Sequence, residues 1–383
     1  MTHRERVLAT LNHEEPDRLP MDLGASVVTS ISLSAYKSLV SHLGLPERDP
    51  VIFDIVEQIV FMDEDVRTAL DVDVLPVVAN PPSKPLRLQE EPCGGSSFID
   101  DFGAKLVKHE GCLYYDWREF PLSEPSINAL ESISWPDPSD AALYDGLRDR
   151  TLRLRKETDY ALFGMAPNGH DLMNLLFRVR GMEEGLMDLM LNQEFAEAFL
   201  EKLTETIMES QRRFLDEVGD LIDIHFAADD FAAQSGLLIS PSVFRNLIKP
   251  RWKRIIDLIK SKTNAKIFFH SCGCVLELIP DLIEIGVDIL NPVQVSAAGM
   301  GTDYLKKEFG NDLSFWGGGC DTQKTLPFGT PADVKAEVRQ RIQDLAPEGG
   351  FVFNPVHNIQ HGVPPENIIA LFDAAREFGI YQS

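Results

Sequence analysis

Lys266-Ile267-Phe268-Phe269-His270-Ser271-Cys272-Gly273-Cys274 is a short apolar run that ends in a cluster of polar groups. Its first five residues are rich in β-branched and aromatic side chains, as expected of a buried strand, and Gly273 marks the point where the strand breaks. A segment with helical spacing begins directly afterwards, at 275–278. The stretch therefore predicts one strand–loop–helix unit of an α/β fold.

Eight runs of this type alternate with longer segments of helical periodicity. They lie at 18–22, 72–75, 160–164, 221–226, 266–270, 287–291, 313–316 and 351–354. The pairs Ser240-Pro241 and Thr330-Pro331 supply the N-cap and first-turn proline that open two of the helices. Eight strands alternating with helices predict a (β/α)8 TIM barrel, formed as a single domain by residues 1–383. An open doubly wound sheet is the alternative, which is disfavoured because no Gly-x-Gly-x-x-Gly turn follows the first strand.

One segment interrupts this alternation after the second strand. Residues 76–93 contain five prolines and predict no regular element. Residues 97–118 then alternate as in a β-hairpin, with a turn near Asp101-Phe102-Gly103. We expect 76–135 to be an insertion that flanks the mouth of the barrel.

The charge balance narrows the classes of partner. The chain has 36 Lys and Arg against 60 Asp and Glu, a net charge of −24. This field repels phosphate backbones and anionic lipid, so we expect no nucleic-acid or membrane partner. No run approaches the ~18 consecutive apolar residues of a membrane span, and the N-terminus lacks the apolar core of a secretory signal. Five cysteines, a low and odd number, favour reduced thiols and a cytoplasmic location over a disulfide framework.

The carboxyl ends of the predicted strands are polar, and barrel enzymes place their catalytic groups there. The sharpest signal is His270-x-Cys272, because residues two apart on a strand face the same way. Cys320 lies at the equivalent end of the strand two further round. An imidazole and two thiolates with an open fourth position are typical of catalytic zinc, so His270, Cys272 and Cys320 are the predicted ligands. Cys274 is a rival ligand, and the alternative is a hydrogen-bonded core histidine beside small buried cysteines.

Other polar groups at the strand ends are candidates for catalysis. Asp229 and Asp230 follow a buried strand, where one of them could be a fourth zinc ligand or a proton acceptor, or else a helix N-cap. His357 follows the last strand and is a candidate for substrate contact. His170 and Asp171 follow the third strand and are expected to line the pocket, with a solvated loop residue as the alternative for His170.

A second group is predicted to contact a cofactor. Gln294 is placed as a hydrogen-bonding residue behind the metal or on the substrate, and Asn358 lies beside His357. Gly317 and Gly318 would let a large planar cofactor approach the backbone. A tight strand-to-loop turn is the alternative for these glycines.

These residues carry a family resemblance. The motifs His270-Ser-Cys-Gly, Asp288-Ile-Leu-Asn-Pro-Val-Gln294 and Trp316-Gly-Gly-Gly-Cys320 resemble the uroporphyrinogen decarboxylase superfamily. They are most similar to its zinc-dependent branch, the corrinoid-linked methyltransferases, which carry His-x-Cys and one Cys far downstream. Residues 4–7 and 16–20 look like the family's opening, and 350–362 like its closing strand and loop. The resemblance implies a (β/α)8 barrel.

The resemblance also implies a reaction. It is the zinc-dependent transfer of a methyl group between a small thiol or methyl ether and a corrinoid, or cobalamin. We expect a partner protein to carry the corrinoid, because the chain has no Asp-x-His-x-x-Gly cobalamin motif. True uroporphyrinogen decarboxylases carry Arg-Gln-Ala-Gly-Arg after the first strand to grip a polycarboxylate, whereas 21–26 here contain no arginine. Such a decarboxylase is therefore the first alternative, and a non-catalytic corrinoid-binding barrel with structural zinc is the second.

Overall fold

The computed structural model describes residues 1–167 and 171–381. In this part of the chain, seven parallel strands form one curled sheet, and each strand is hydrogen-bonded to its neighbours in chain order. The strands are Val74–Val78, Ala161–Met165, Ile224–Ala228, Lys266–His270, Ile289–Asn291, Ser314–Trp316 and Phe351–Val352.

The segment before these strands closes the sheet into a barrel. Met21 forms a parallel bridge with Phe353. Hydrogen bonds of 2.8 Å from Asp22 N to Phe353 O and from Phe353 N to Pro20 O support that bridge. On the other side, Asp73 N donates to Met21 O at 2.7 Å. The predicted (β/α)8 fold is confirmed, although this first run pairs only at isolated positions, in part because Pro20 has no N–H to donate.

Helices connect the strands and pack around the sheet. Two begin where the sequence predicts, since Ser240 Oγ accepts a hydrogen bond from Val243 N and Thr330 forms a capping box with Asp333. The α-helices are His3–Leu11, Leu33–His42, Glu64–Leu70, Leu147–Glu157, Met173–Arg180, Met182–Leu191, Gln193–Val218, Pro241–Val243, Lys249–Lys262, Ile279–Ile285, Thr302–Phe309, Thr325–Phe328, Pro331–Leu345 and Pro365–Phe378. Across the described ranges, no helix combines the length and apolarity needed to cross a membrane.

Antiparallel strands lie outside the barrel sheet. Four of them form a sheet in the segment that the sequence suggests is an insertion: Gln89–Glu90, Gly95–Ile99, Lys105–His109 and Asp116–Glu119. Ile31–Ser32, Ile52–Asp54 and Ile59–Val60 form a second small sheet, and Ala232–Ala233 pairs with Gly236–Leu237.

The barrel strand Val74–Val78 extends further than the sequence suggests. Pro76 pairs with Phe163 inside it, so the expected start of the insertion at 76 falls within a strand. The missing N–H of Pro76 is tolerated because this strand stands at the end of the seven-stranded sheet, where one side lacks a continuous ladder.

Aromatic rings fill the inside of the barrel. Phe163, Phe226, Phe268 and Trp316 come from four different strands and are buried, and their contacting rings have centroids 5.0–6.2 Å apart. Such pairs contribute about 0.5–1.5 kcal/mol each beyond the burial of their surface. Because side chains alternate along a strand, the residue two positions after Phe268 faces the same interior, one layer nearer the open end. That residue is His270.

A buried ion-pair network holds the first two strands together below this layer. The Asp73 carboxylate accepts hydrogen bonds from Arg6 Nη1 at 2.6 Å, Arg18 Nη1 at 2.8 Å and His3 Nδ1 at 2.7 Å. It also accepts one from Met21 N at 2.7 Å. Burial raises the pKa of Asp73, but the hydrogen bond from His3 and the charge of Arg18 outweigh it and leave the pKa below its ordinary value.

We predict that Asp73→Asn lowers the free energy of unfolding by about 3–5 kcal/mol, because two arginines lose the carboxylate that neutralises them. Asp71→Asn is the matched control, since Asp71 is 39% exposed and, among the described residues, has Arg18 as its one ion-pair partner; it should cost at most about 1 kcal/mol. Urea unfolding measures both. Because the pKa of Asp73 is lower in the folded protein than in the unfolded chain, its carboxylate stabilises the fold at pH values above the ordinary carboxylate pKa. This stabilisation is lost as the pH falls through the pKa of the folded state. The loss of unfolding free energy caused by Asp73→Asn should therefore become smaller at acidic pH. A loss that grows on acidification would contradict the stabilising role of the Asp73 carboxylate.

Candidate metal centre

Three potential metal ligands meet at the carboxyl end of the barrel. His270 ends the strand Lys266–His270, Cys272 lies two residues further, and His357 is in the loop after Phe351–Val352. One ligand atom from each of the three lies within 4.8 Å of the other two, and Cys272 Sγ is 3.4 Å from His270 Nε2. The rings of His270 and His357 meet edge-on with centroids 5.3 Å apart. The structure thus brings His270 and Cys272 together and adds His357, which the sequence suggests only for substrate contact.

Asn291 determines which nitrogen of His270 faces this cluster. Asn291 Nδ2 donates to Trp316 O at 2.8 Å, so its Oδ1 is the atom that lies 2.5 Å from His270 Nδ1. An amide oxygen can only accept, so His270 carries its proton on Nδ1 and presents an unprotonated Nε2 to Cys272. A histidine that binds a metal is usually oriented by a hydrogen bond of this kind.

Burial keeps the three ligand side chains uncharged. It lowers the pKa of His270, against the opposing effects of Asp230 and the Asn291 hydrogen bond. Burial and the neighbouring His270 lower the pKa of His357 to about 3. Burial, followed by the charges of Asp230 and Glu57, raises the pKa of the Cys272 thiol well above its ordinary value. Neutral imidazoles are ready to bind a metal, while the thiol must first lose its proton.

The donor set fits a zinc-like ion. Two imidazole nitrogens and one thiolate are ligands that zinc takes in proteins, and three protein ligands leave a fourth tetrahedral position for water or substrate.

The structure does not bring Cys320 into this cluster. Its thiol is buried and lies 3.6 Å from Glu337 Oε2, on the helix Pro331–Leu345. Burial and the charge of Glu337 raise the pKa of this thiol well above its ordinary value. A ligand set that includes Cys320 requires its side chain to leave Glu337. The residues that follow it, Thr322 and Gln323, do line the cavity beside the cluster.

A hydrogen bond to Gln294 and a close approach to Ala232 fix the loop that carries Cys272. Gly273 N donates to Gln294 Oε1 at 2.6 Å, so Gln294 positions this loop as well as lining the adjacent cavity. Gly273 has a φ of +86°, and a Cβ there would lie 2.5 Å from Ala232 O. Cys274 packs against the hydrophobic core instead of joining the ligand cluster.

Asp229 points away from the cluster. Its carboxylate accepts hydrogen bonds from Met173 N at 3.0 Å, Leu172 N at 3.1 Å and Trp252 Nε1 at 3.0 Å. These are the first backbone donors of the helix Met173–Arg180 and a buried indole. Asp229 therefore anchors the start of this helix from a neighbouring strand end, while the N-cap position itself is Leu172, and Asp229 is not placed to act on a substrate at the ligand cluster.

Asp230 points toward the cluster. Its Oδ1 accepts a hydrogen bond from Cys272 N at 2.8 Å, and its Oδ2 is 3.4 Å from Asn174 Nδ2. Asp230 is therefore the strand-end carboxylate that borders the three ligands.

Asn358 is occupied in fixing the loops around the site. Its Oδ1 accepts from Ser30 N at 2.8 Å, and its Nδ2 donates to Val27 O at 2.7 Å and to Glu57 Oε2 at 3.1 Å.

Burial and the nearby charge of Asp54 raise the pKa of Glu57 to about 7. Sequence reasoning missed Glu57 because it comes from a turn outside the barrel strands.

Gly317 and Gly318 allow a close approach of chain segments. Their φ values are +88° and +87°. A Cβ on Gly318 would lie 2.7 Å from Val293 Cβ, and one on Gly317 would lie 3.1 Å from Asn291 Nδ2. The tight-turn alternative accounts for both glycines, so this geometry adds no support for contact with a planar cofactor.

One cavity borders the ligand cluster itself, and a second borders the neighbouring Asp230. The smaller, of about 210 Å³, is lined by Cys272, Gln294, His357 and Asn358 among others. The larger, of about 810 Å³, contains Asp171 and Asp230 together with residues that the sequence analysis did not single out: Glu57, Asp116, Trp117, Arg118, Phe120, Asn174, Leu175, Phe177, Arg178 and Met182. Most of these come from the antiparallel sheet and the helices, where no strand-end pattern could reveal them. His170 lies outside the described residues.

Comparison with known proteins identifies the family. The family model described as Uroporphyrinogen decarboxylase (URO-D) matches residues 120–378, about two thirds of the chain. The chain belongs to the uroporphyrinogen decarboxylase family. Among curated proteins it is similar to a uroporphyrinogen decarboxylase from Pseudoalteromonas atlantica, at 22% identity over 70% of this chain and 73% of that protein. A uroporphyrinogen decarboxylase from Magnetococcus marinus is 20% identical over 68% of this chain and 72% of its own length.

Among solved structures, this family member is similar to a methyltransferase from Methanosarcina mazei. The TM-score is 0.66 at 19% identity, and the match covers 99% of both chains. At this identity the likeness supports the fold over the full length, including residues 1–119 that the family model does not reach.

We predict that Asn291→Ala weakens the affinity for Co²⁺, used as a spectroscopic probe ion, by about 10–100-fold. The substitution removes the acceptor that keeps the His270 proton on Nδ1. Asn367→Ala is the matched control, since it removes a buried asparagine that bonds Leu326 O and Gly329 O away from the cluster. Titration followed by visible absorption measures both. Equal losses in the two variants would mean that Asn291 acts only through stability.

Proposed function

We propose that this protein is a zinc-dependent methyltransferase, which moves a methyl group between a small thiol or methyl ether and a corrinoid on a partner protein. The observation that carries the proposal is the meeting of His270, Cys272 and His357 at the open end of the barrel. The motif resemblance to corrinoid-linked methyltransferases points the same way.

Zinc held by these residues would supply Lewis acidity, which lowers the pKa of a bound thiol or polarises the oxygen of a methyl ether. A thiolate among the ligands makes the site softer and suits sulfur chemistry. His270 and Cys272 are common to the sequence-based set and to the set that the geometry favours. The third donor is His357 by geometry and Cys320 by resemblance, and we propose His357.

The remaining groups prepare the site for proton transfer. Asn291 holds His270 with Nε2 free, and Gln294 fixes the loop that carries Cys272. Asp230 lies beside Cys272 and can accept the proton that a thiol substrate loses. Glu57 lines the same cavity as Asp230, and its pKa of about 7 suits proton exchange near neutrality.

A uroporphyrinogen decarboxylase is the second candidate, because the curated relatives carry that name. Its substrate bears many carboxylates, yet Glu57, Asp171 and Asp230 line the larger cavity. Arg118 and Arg178 also line it, from segments outside 21–26, but each already faces an acid: Arg118 pairs with Asp116 at 3.1 Å and Arg178 with Asp100 at 3.4 Å. These charges disfavour a polyanion.

The corrinoid is proposed to arrive on a separate protein in the cytoplasm, with no nucleic-acid or membrane partner. Both cavities lie at the same end of the barrel as the ligand cluster, so a corrinoid protein that docks at this end would face both of them. A non-catalytic corrinoid-binding barrel with structural zinc remains the third interpretation.

We predict about one zinc per chain, with about one sulfur at ~2.3 Å and nitrogen at ~2.0–2.1 Å in X-ray absorption spectra. His357→Ala should lower zinc occupancy strongly, and Cys320→Ser should leave it nearly unchanged. Two sulfurs in the spectrum, with zinc lost from Cys320→Ser, would replace His357 by Cys320 as the third ligand.

The same variants separate a catalytic from a structural metal. We expect chelation and His357→Ala to abolish activity while leaving the midpoint of urea unfolding nearly unchanged, since the aromatic interior does not include the ligands. Cooperative unfolding on chelation would support the structural-zinc interpretation.

We predict that the zinc-loaded protein demethylates methylcobalamin when given a thiol, and releases no carbon dioxide from uroporphyrinogen III. Both reactions are measured on one preparation, and the chelated protein serves as the control. Decarboxylation that survives full zinc removal would refute the methyltransferase proposal.

A further inference from the structure

The larger cavity beside the ligand cluster holds three carboxylates that lack a cationic partner. Glu57, Asp171 and Asp230 line it. Among residues 1–167 and 171–381, no Lys, Arg or His nitrogen forms an ion pair with any of the three within 4.0 Å. Burial raises the pKa of both Glu57 and Asp171 to about 7; for Asp171 the charge of Arg178 opposes this effect and the charge of Asp230 adds to it. These acids are therefore held close together at an electrostatic cost.

Asp171 supplies a second and independent sign of a ligand. Its Oδ1 is buried and has no hydrogen-bond partner within the described part of the chain. A buried carboxylate oxygen without a donor is uncommon, because leaving such a group unsatisfied costs stability. The residue lines the cavity, and a rotation of its carboxylate would present this oxygen to a donor on a bound molecule.

The two arginines in the cavity are already engaged. Arg178 pairs with Asp100 at 3.4 Å and lies over the ring of Trp117 at 5.5 Å. Arg118 pairs with Asp116 at 3.1 Å. Among the described residues neither forms an ion pair with the three carboxylates, although the charge of Arg178 acts on Asp171. The lining holds four carboxylates, including Asp116, against these two guanidiniums, so it is acidic on balance.

Aromatic and thioether groups also line the cavity. Trp117 and Phe120 are each 40% exposed, and Met182 is 50% exposed. Faces of aromatic rings attract cations, and the contact of Arg178 with Trp117 already uses this attraction here. A lining that combines acids with aromatic rings suits an alkylammonium group.

The cavity and the ligand cluster share a wall. Asp230 lines the cavity, and its Oδ1 is 2.8 Å from Cys272 N. Asp230 is thus the link between the two, and a small molecule with its reacting atom at the ligand cluster would reach this cavity past Asp230.

The geometry points to a substrate class for the proposed methyltransferase: a thiol or methyl ether that carries an ammonium group a few bonds from its reacting sulfur or oxygen. This inference rests on the proposed function and deepens it. The same cavity disfavours a thiol that carries a carboxylate or sulfonate.

Three thiols of one skeleton test the charge preference. Cysteamine, 2-mercaptoethanol and 2-mercaptoethanesulfonate each have two carbons between sulfur and a cationic, neutral or anionic end. Binding is followed by the visible spectrum of the Co²⁺-loaded protein, without corrinoid. We expect cysteamine to bind roughly tenfold more tightly than 2-mercaptoethanol, and the sulfonate to bind more weakly than either. Equal or tighter binding of the sulfonate would overturn the inference while leaving the metal site intact. No response to any thiol would instead count against the proposed function.

Isosteric variants locate the preference. Asp171→Asn should reduce the cysteamine advantage severalfold and leave 2-mercaptoethanol binding unchanged, and Glu57→Gln should also reduce the ratio of the two affinities. Glu119→Gln is the matched control, because Glu119 belongs to the neighbouring antiparallel sheet, is 73% exposed and is not among the residues that line the cavity. As a second readout, ethylammonium should raise the melting temperature of the metal-free protein more than propionate does. An unchanged preference in both Asp171→Asn and Glu57→Gln would refute the assignment of these carboxylates.

Discussion

Aromatic packing inside the barrel leaves one end of it available for polar groups. Phe163, Phe226, Phe268 and Trp316 fill the interior, and Val7 and Leu11 of the first helix join the same apolar cluster. Trp316 also links this layer to its surroundings, since its Nε1 donates to Asp22 Oδ2 and its carbonyl accepts from Asn291 Nδ2. The side chains that follow this layer must therefore gather at the carboxyl ends of the strands. The position of the ligand cluster is a consequence of how the core is filled.

The open end is both buried and deficient in positive charge. Burial favours neutral His270, His357 and Cys272, and in the described part of the chain the nearby carboxylates of Asp230 and Glu57 form no ion pair with a Lys, Arg or His nitrogen. A divalent ion at the ligand cluster and an ammonium group in the larger cavity would each reduce this imbalance. The metal proposal and the substrate-class proposal thus both follow from the shortage of positive charge at this end of the barrel. They concern different atoms: the first concerns the ligand cluster, and the second concerns the carboxylates of the larger cavity.

Period-two alternation explains what could be predicted from sequence and what could not. Phe268, His270 and Cys272 follow one phase, so their convergence was visible in the residue order. The same phase runs from Phe226 through Ala228 to Asp230, and applying it would have selected Asp230 over Asp229. Cys320 has no such guide, because two glycines with positive φ intervene after Trp316 and break the alternation. Glu57, Arg118 and Arg178 were invisible for another reason: they reach the mouth through tertiary packing of segments outside the barrel strands.

Family membership fixes the barrel but leaves its chemistry to the residues at the mouth. One fold can hold a polycarboxylate where arginines face the cavity, or a metal and a small substrate where donors and acids do. In this chain Asp22, beside the position where decarboxylases carry arginine, is buried and bonded to Trp316 and Ala25. A carboxylate enclosed in this way serves the closure of the barrel and cannot bind an anion. The first strand therefore contributes structure here, and recognition passes to the loops and helices that surround Asp230.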